Sequence, residues 1–149
     1  RFAWDAAIAE QLGQPALMDL WFSELTRNAS TGVVNAKVKV SVAEDLAGAE
    51  HKLVVYLLED SIVGWQSDAN ATPSEIPDYV HRHVLRDDLI SPWGDVVLTG
   101  TEAVGDTIEF ALPAYTLNSA WNTEHLSLVA YVYNSTTYEV MQVVEKYVP

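Results

Sequence analysis

Between Val33 and Val42 apolar and polar residues alternate without a break. Val34, Ala36, Val38, Val40 and Val42 fall on one side, and Asn35, Lys37, Lys39 and Ser41 on the other. Two lysines in step with the polar side mean a β-strand with one dry and one wet face. Such a strand needs a second layer to cover its dry face. The same period recurs along the chain. Over residues 17–25, Met18, Leu20 and Phe22 alternate with Asp19, Trp21 and Ser23, which favours strand over helix. Residues 52–59 form a more continuously apolar strand and residues 95–99 a short one. In residues 107–112, Ile108, Phe110 and Leu112 alternate with Thr107, Glu109 and Ala111. The long segments 125–133 and 138–147 are joined by Asn134-Ser-Thr-Thr137, a loop of hairpin length.

About seven strands without intervening helices predict an all-β fold, an immunoglobulin-like antiparallel β-sandwich. The Cys…Trp…Cys pattern of antibody domains is missing, because the chain has no cysteine. Ala6, Ala7, Ile8, Ala9 and Leu12 give a short N-terminal helix, stopped by Gly13-Gln-Pro15. Residues 1–14 therefore read as a helix or interdomain linker, and 15–149 as the sandwich.

With 149 residues, 49% of them hydrophobic, the chain suffices for one core, burying about two-thirds of its unfolded surface. Twenty-one acids stand against eight bases, a net charge of −13. That field repels phosphate backbones, so no nucleic-acid partner is expected, and anionic lipid surfaces are disfavoured likewise. Without cysteine there are no disulfides, thiolate nucleophiles or iron–sulfur clusters. No apolar run reaches the roughly 18 residues of a membrane span. A chain that opens Arg1-Phe-Ala-Trp reads as a domain of a longer protein, with any targeting or anchoring segment outside it.

The even strand spacing fails at residues 61–93. A connection this long has a role or a structure of its own. It carries Trp65, His81 and His83, ends at Trp93, and holds Pro73, Pro77 and Pro92. On an extended backbone His81 and His83 point the same way, a spacing zinc sites use. A third ligand would have to come from His51, His125 or a carboxylate, so packing and solvation are the preferred reading and no metal or other cofactor is expected. Glu59-Asp60 and Asp87-Asp88 could face one another as paired acids, but 21 acids make chance pairs common. Arg86 reads as a pin, holding the insertion by a bidentate bond to a carboxylate. Neither a Gly-x-Ser-x-Gly elbow nor a Gly-rich phosphate loop is present. Asn28-Ala-Ser, Asn70-Ala-Thr and Asn134-Ser-Thr fit the glycosylation sequon, but the same residues serve turns. Trp21, Tyr131, Tyr133, Tyr138 and Tyr147 include positions on the polar sides of strands; they mark either a partner surface or packing against a neighbouring domain.

Several of these residues recur in a resemblance. The runs Glu59-Asp60-Ser-Ile-Val-Gly-Trp65-Gln66, Tyr79-Val-His81-Arg-His83-Val-Leu-Arg86 and Trp93-Gly94, with Ala130-Tyr-Val-Tyr133 and Tyr138-Glu-Val-Met-Gln-Val-Val144, resemble the Omp28-type outer-membrane lipoproteins of Bacteroidetes. The likeness covers the second half well and the first third only by strand pattern. It implies a lipid anchor and a thioredoxin-like domain ahead of a β-sandwich, and a place at the outer membrane or cell surface. It implies no reaction and no catalytic residue. It flags Glu59, Asp60, Gln66, His81, His83 and Arg86 as a cluster.

The resulting expectation is a non-enzymatic accessory domain of the cell envelope, acting in binding, adhesion or scaffolding. Its partner would be a protein or a glycan. The alternatives are a carbohydrate-binding module stacking sugars on Trp65, Trp93 or Trp121, and a metal site at His81 and His83. Burial of all three tryptophans would exclude the first, and imidazoles pointing apart the second.

Overall fold

The computed structural model describes residues 2–149. A helix, α1 (Phe2–Gln11), ends before Gly13, whose φ of 92° only glycine adopts freely. Then come β1 (Met18–Arg27), β2 (Val33–Val42), β3 (His51–Glu59), β4 (Ile62–Ser67), β5 (Glu75–His81), β6 (Val84–Asp88), β7 (Asp95–Leu98), β8 (Thr107–Ala111), β9 (Tyr115–Thr116), β10 (Leu126–Asn134) and β11 (Val140–Tyr147). All seven strands read from the sequence are among them. The other four are β4, β5 and β6, which structure the long connection, and the two-residue β9.

The strands form an antiparallel sandwich. One sheet runs β1-β2-β8, with β9 on β2; the other runs β11-β10-β3-β6, with β7 also on β3. In β2 the alternation holds in full: Val34, Ala36, Val38, Val40 and Val42 are buried, while the residues between them reach solvent. Its two lysines pair across the wet face, Lys37 with Glu24 at 2.9 Å and Lys39 with Glu109 at 3.5 Å. The core joins these valines and Met18, Leu20 and Phe22 of β1 to Leu53, Val55 and Leu57 of β3 and Leu128, Ala130 and Val132 of β10.

The third sheet is the hairpin β4-β5 alone. It continues the β3–β6 pair through a sharp break: Glu59 pairs with Val84 and Ile62 with His81, and Ser61 and His83 between them take φ values of 61° and 50°. Its Val63, Trp65, Tyr79 and Val80 are exposed.

Candidate functional site

The strand period puts Leu128, Ala130 and Val132 of β10 inside, so Tyr131 and Tyr133 must face outward. Register then decides their company. Tyr131 lies opposite Val143 and Tyr133 opposite Val140, both on β11. Two further rings come from loops. The β10–β11 turn brings Tyr138 into a nearly parallel stack with Tyr133, 12° between planes and 6.2 Å between centroids. The turn before β7 lays Trp93 over the same face. It can do so because Gly94, at φ 67°, has no Cβ; a Cβ there would collide with the Leu53 carbonyl.

These six residues line an open groove of about 410 Å³. Its floor is fixed from within. The Tyr133 hydroxyl donates to the Trp93 carbonyl at 2.8 Å, and that of Tyr56 to the Pro92 carbonyl at 2.9 Å. Tyr56, Tyr131 and Tyr133 form a chain of tilted rings with centroids 5.8 and 6.1 Å apart. Burial, aided by the neighbouring Tyr56, pushes the Tyr131 hydroxyl well above its ordinary value, so it stays neutral at any physiological pH. A smaller recess of about 150 Å³ shares Trp93, Tyr133 and Tyr138 and adds Lys52 and Ser135.

The residues flagged from the sequence divide among three places. Trp93 belongs to the groove. Glu59 and Arg86 form a clamp at the waist: Arg86 Nε donates to Glu59 Oε2 at 2.8 Å, while Glu59 Oε1 accepts the Asn122 N–H at 3.0 Å. The guanidinium lies 5.8 Å from the Trp121 ring centre. The pinning role expected of Arg86 is thus met, but through one nitrogen rather than bidentately, because the second carboxylate oxygen is taken by the backbone. Beside the clamp, Asp60 accepts the His83 N–H at 2.6 Å, and the His83 ring stands between Asp60 and Glu145 at 3.5 and 3.4 Å. His81, Gln66 and Trp65 sit out on the hairpin, where His81 packs edge-on against Tyr79 and the Gln66 side-chain amide donates to the Ser67 carbonyl.

The shared direction expected for His81 and His83 is overturned. The left-handed backbone at His83 breaks the extended run, so one ring lies on Tyr79 and the other between two acids. Among the described residues no group of three or more His, Asp or Glu could hold a metal ion. Asp87 is engaged structurally as well: it accepts the Tyr115 hydroxyl at 2.6 Å, and burial followed by Asp87 pushes that hydroxyl up to about 12. Asn28 and Asn134 cap their own turns, Asn28 accepting from Ser30 and Thr31 and Asn134 from Thr136 and Thr137. Trp65 and Trp93 are 69% and 70% exposed, so the condition that would exclude sugar stacking is not met. The reading from sequence missed Val140 and Val143, which join the groove only through the register of β11.

Over residues 1–149 the chain matches the family described as outer membrane protein Omp28. Among solved structures it is similar to HBP35 of Porphyromonas gingivalis, at a TM-score of 0.73 and 18% identity, covering 98% of this chain and 46% of that one. It is also similar to a domain of the outer membrane lipoprotein Omp28 from Porphyromonas gingivalis, at a TM-score of 0.52 and 23% identity, covering 87% of this chain and 94% of that one. The chain thus spans less than half the length of HBP35. At these identities the likeness concerns the fold. No curated protein matches the sequence.

Proposed function

The chain belongs to the Omp28 family of outer membrane proteins, and from that premise we propose that it is a non-enzymatic binding domain of the cell envelope whose contact surface is the aromatic groove. One observation carries the reading. Trp93, Tyr138, Val140 and Val143 expose apolar surface together, on the side of the sheet turned away from the core. A sandwich has no structural need of an apolar outer face, and clustered apolar surface of this kind marks interaction sites. The absence of catalysis is supported by Glu59, Asp60 and Asp87, three flagged acids that already hold structural partners at the waist or sheet edge. The strand order, β1-β2-β8 against β6-β3-β10-β11, supports the immunoglobulin-like form of the sandwich. Attachment through a lipid anchor outside residues 1–149, and a thioredoxin-like domain as neighbour, remain part of this reading on the strength of the family resemblance.

The test is sedimentation of the labelled domain with isolated outer-membrane fragments of a Bacteroidetes strain. Saturable co-sedimentation is expected, and loss of it in the double variant Trp93→Ala, Val143→Ser. Equal retention of that variant, in a form that still melts cooperatively, would place the contact elsewhere.

A further inference from the structure

Among the described residues four besides glycines take a positive φ, and Tyr138 carries the largest side chain of the four. It sits at φ 62° in the β10–β11 turn, closed by its own N–H on the Asn134 carbonyl at 2.8 Å. Hairpins place glycine or asparagine at such a position, because a side chain resists the left-handed backbone. Burial does not repay the strain, since Tyr138 is 68% exposed. What the turn gains is a ring held parallel to Tyr133 at the rim of the groove. Trp93, the other exposed ring, is likewise held by a left-handed residue, Gly94, on a close approach to β3. Two ring faces are therefore presented to solvent on a floor where the Tyr133 hydroxyl is used internally.

The surroundings narrow the ligand. Rigid aromatic faces with no charge in the main groove suit a ligand with a flat apolar face and a polar edge, which is the shape of a pyranose ring. The adjoining recess offers the Lys52 ammonium and the Ser135 hydroxyl as hydrogen-bonding groups for that edge. A net charge of −13 repels polyanions, which leaves uncharged sugars. We propose that the groove binds a neutral glycan, with sugar rings stacked on Trp93 and Tyr138 and hydroxyls bonded to Lys52 and Ser135. This rests on the reading of the groove as the binding face and names its ligand class.

Tyr138→Gly separates ligand from fold. If the ring serves the turn, the variant loses stability; if it serves a glycan, the turn relaxes and binding falls. The expected result is an unchanged or higher Tm with affinity about tenfold weaker. The probes are laminarin, mannan and dextran in affinity electrophoresis, and the same outer-membrane fragments after periodate or proteinase treatment. Retardation by at least one polysaccharide, or retention abolished by periodate and not by proteinase, supports the proposal when Tyr138→Gly removes it. Retention that resists periodate and is lost to proteinase, with no retardation by the three polysaccharides, overturns the glycan and leaves the groove as a protein-binding face. Full binding by Tyr138→Gly overturns the proposal, and no binding of the unaltered domain to any probe overturns both readings.

Discussion

Glu59 is 5% exposed, and each of its oxygens has one assigned donor: Arg86 on one and the Asn122 backbone on the other. A carboxylate so placed is tolerated because both partners are in position, and removing one leaves the other uncompensated. Glu59→Gln should therefore cost roughly 1–3 kcal/mol, discounted from a fully buried pair because the Arg86 side chain is partly open to water. Glu59→Gln with Arg86→Met should cost less than the sum of the two single changes. Urea unfolding of the four proteins measures the coupling, and strict additivity would show that the clamp contributes nothing. This pair was half legible. Arg86 stood out as one of eight bases and Glu59 in a recurring motif, so a pin was foreseeable. Its third member, the Asn122 N–H, lies 63 residues from Glu59 and carries no side-chain signature. For the same reason His81 and His83 were misjudged: two-residue spacing speaks of direction only if the backbone between stays extended, and the left-handed turn at His83 has no glycine to announce it.

At the scale of elements, period-two patterning did most of the work where one face is wet. It located β1, β2 and β8 and put the inward side of β2 correctly. Val38 and Val40 are fully buried, so an aspartate at either site buries an unpaired charge and should remove most of a stability of about 5–15 kcal/mol. Lys37→Glu acts on the exposed side and should move Tm by only a few degrees. Thermal melts in the reverse order would invert the assigned face. Patterning failed for β4 and β5 because neither face of that hairpin is covered, so nothing in the sequence had to alternate; Pro77 also argues against a central strand. The hairpin pairs only with itself. Replacing residues 61–82 by Asn-Gly should therefore leave a cooperatively folded sandwich with a similar Tm. A collapse of the melt would mean that the hairpin supports β3 and β6 as more than an appendage.

For the molecule as a whole, charge and one buried histidine set the response to solution conditions, and the two can be separated. With 21 acids and eight bases the folded state repels itself, and salt screens that repulsion. Raising NaCl from about 0.05 M to about 0.5 M should thus raise Tm, despite weakening the exposed pairs of Lys37 and Lys39. His51 acts in another way. It is 1% exposed at the start of β3, its Nδ1 has no hydrogen-bond partner, and burial lowers its pKa below the ordinary value near 6.5. The unfolded chain then accepts a proton that the native imidazole refuses, so the unfolded state binds more protons and stability falls as pH drops through the mid-sixes. Above that range the native and unfolded imidazoles are both neutral and the penalty vanishes. Between pH 7 and 5.5 carboxylates with ordinary pKa values remain ionised, so their share of the global repulsion changes little over the same window. The other three histidines, His81, His83 and His125, are common to the native protein and a His51→Leu variant. The difference between their melts across that window, taken at 0.5 M NaCl, therefore isolates His51. The unaltered protein should lose more Tm on acidification than the variant, whatever the variant's stability at pH 7. Parallel pH profiles would mean that His51 takes up its proton in the folded state, and that the β3 end of the core opens to water far more readily than its packing implies.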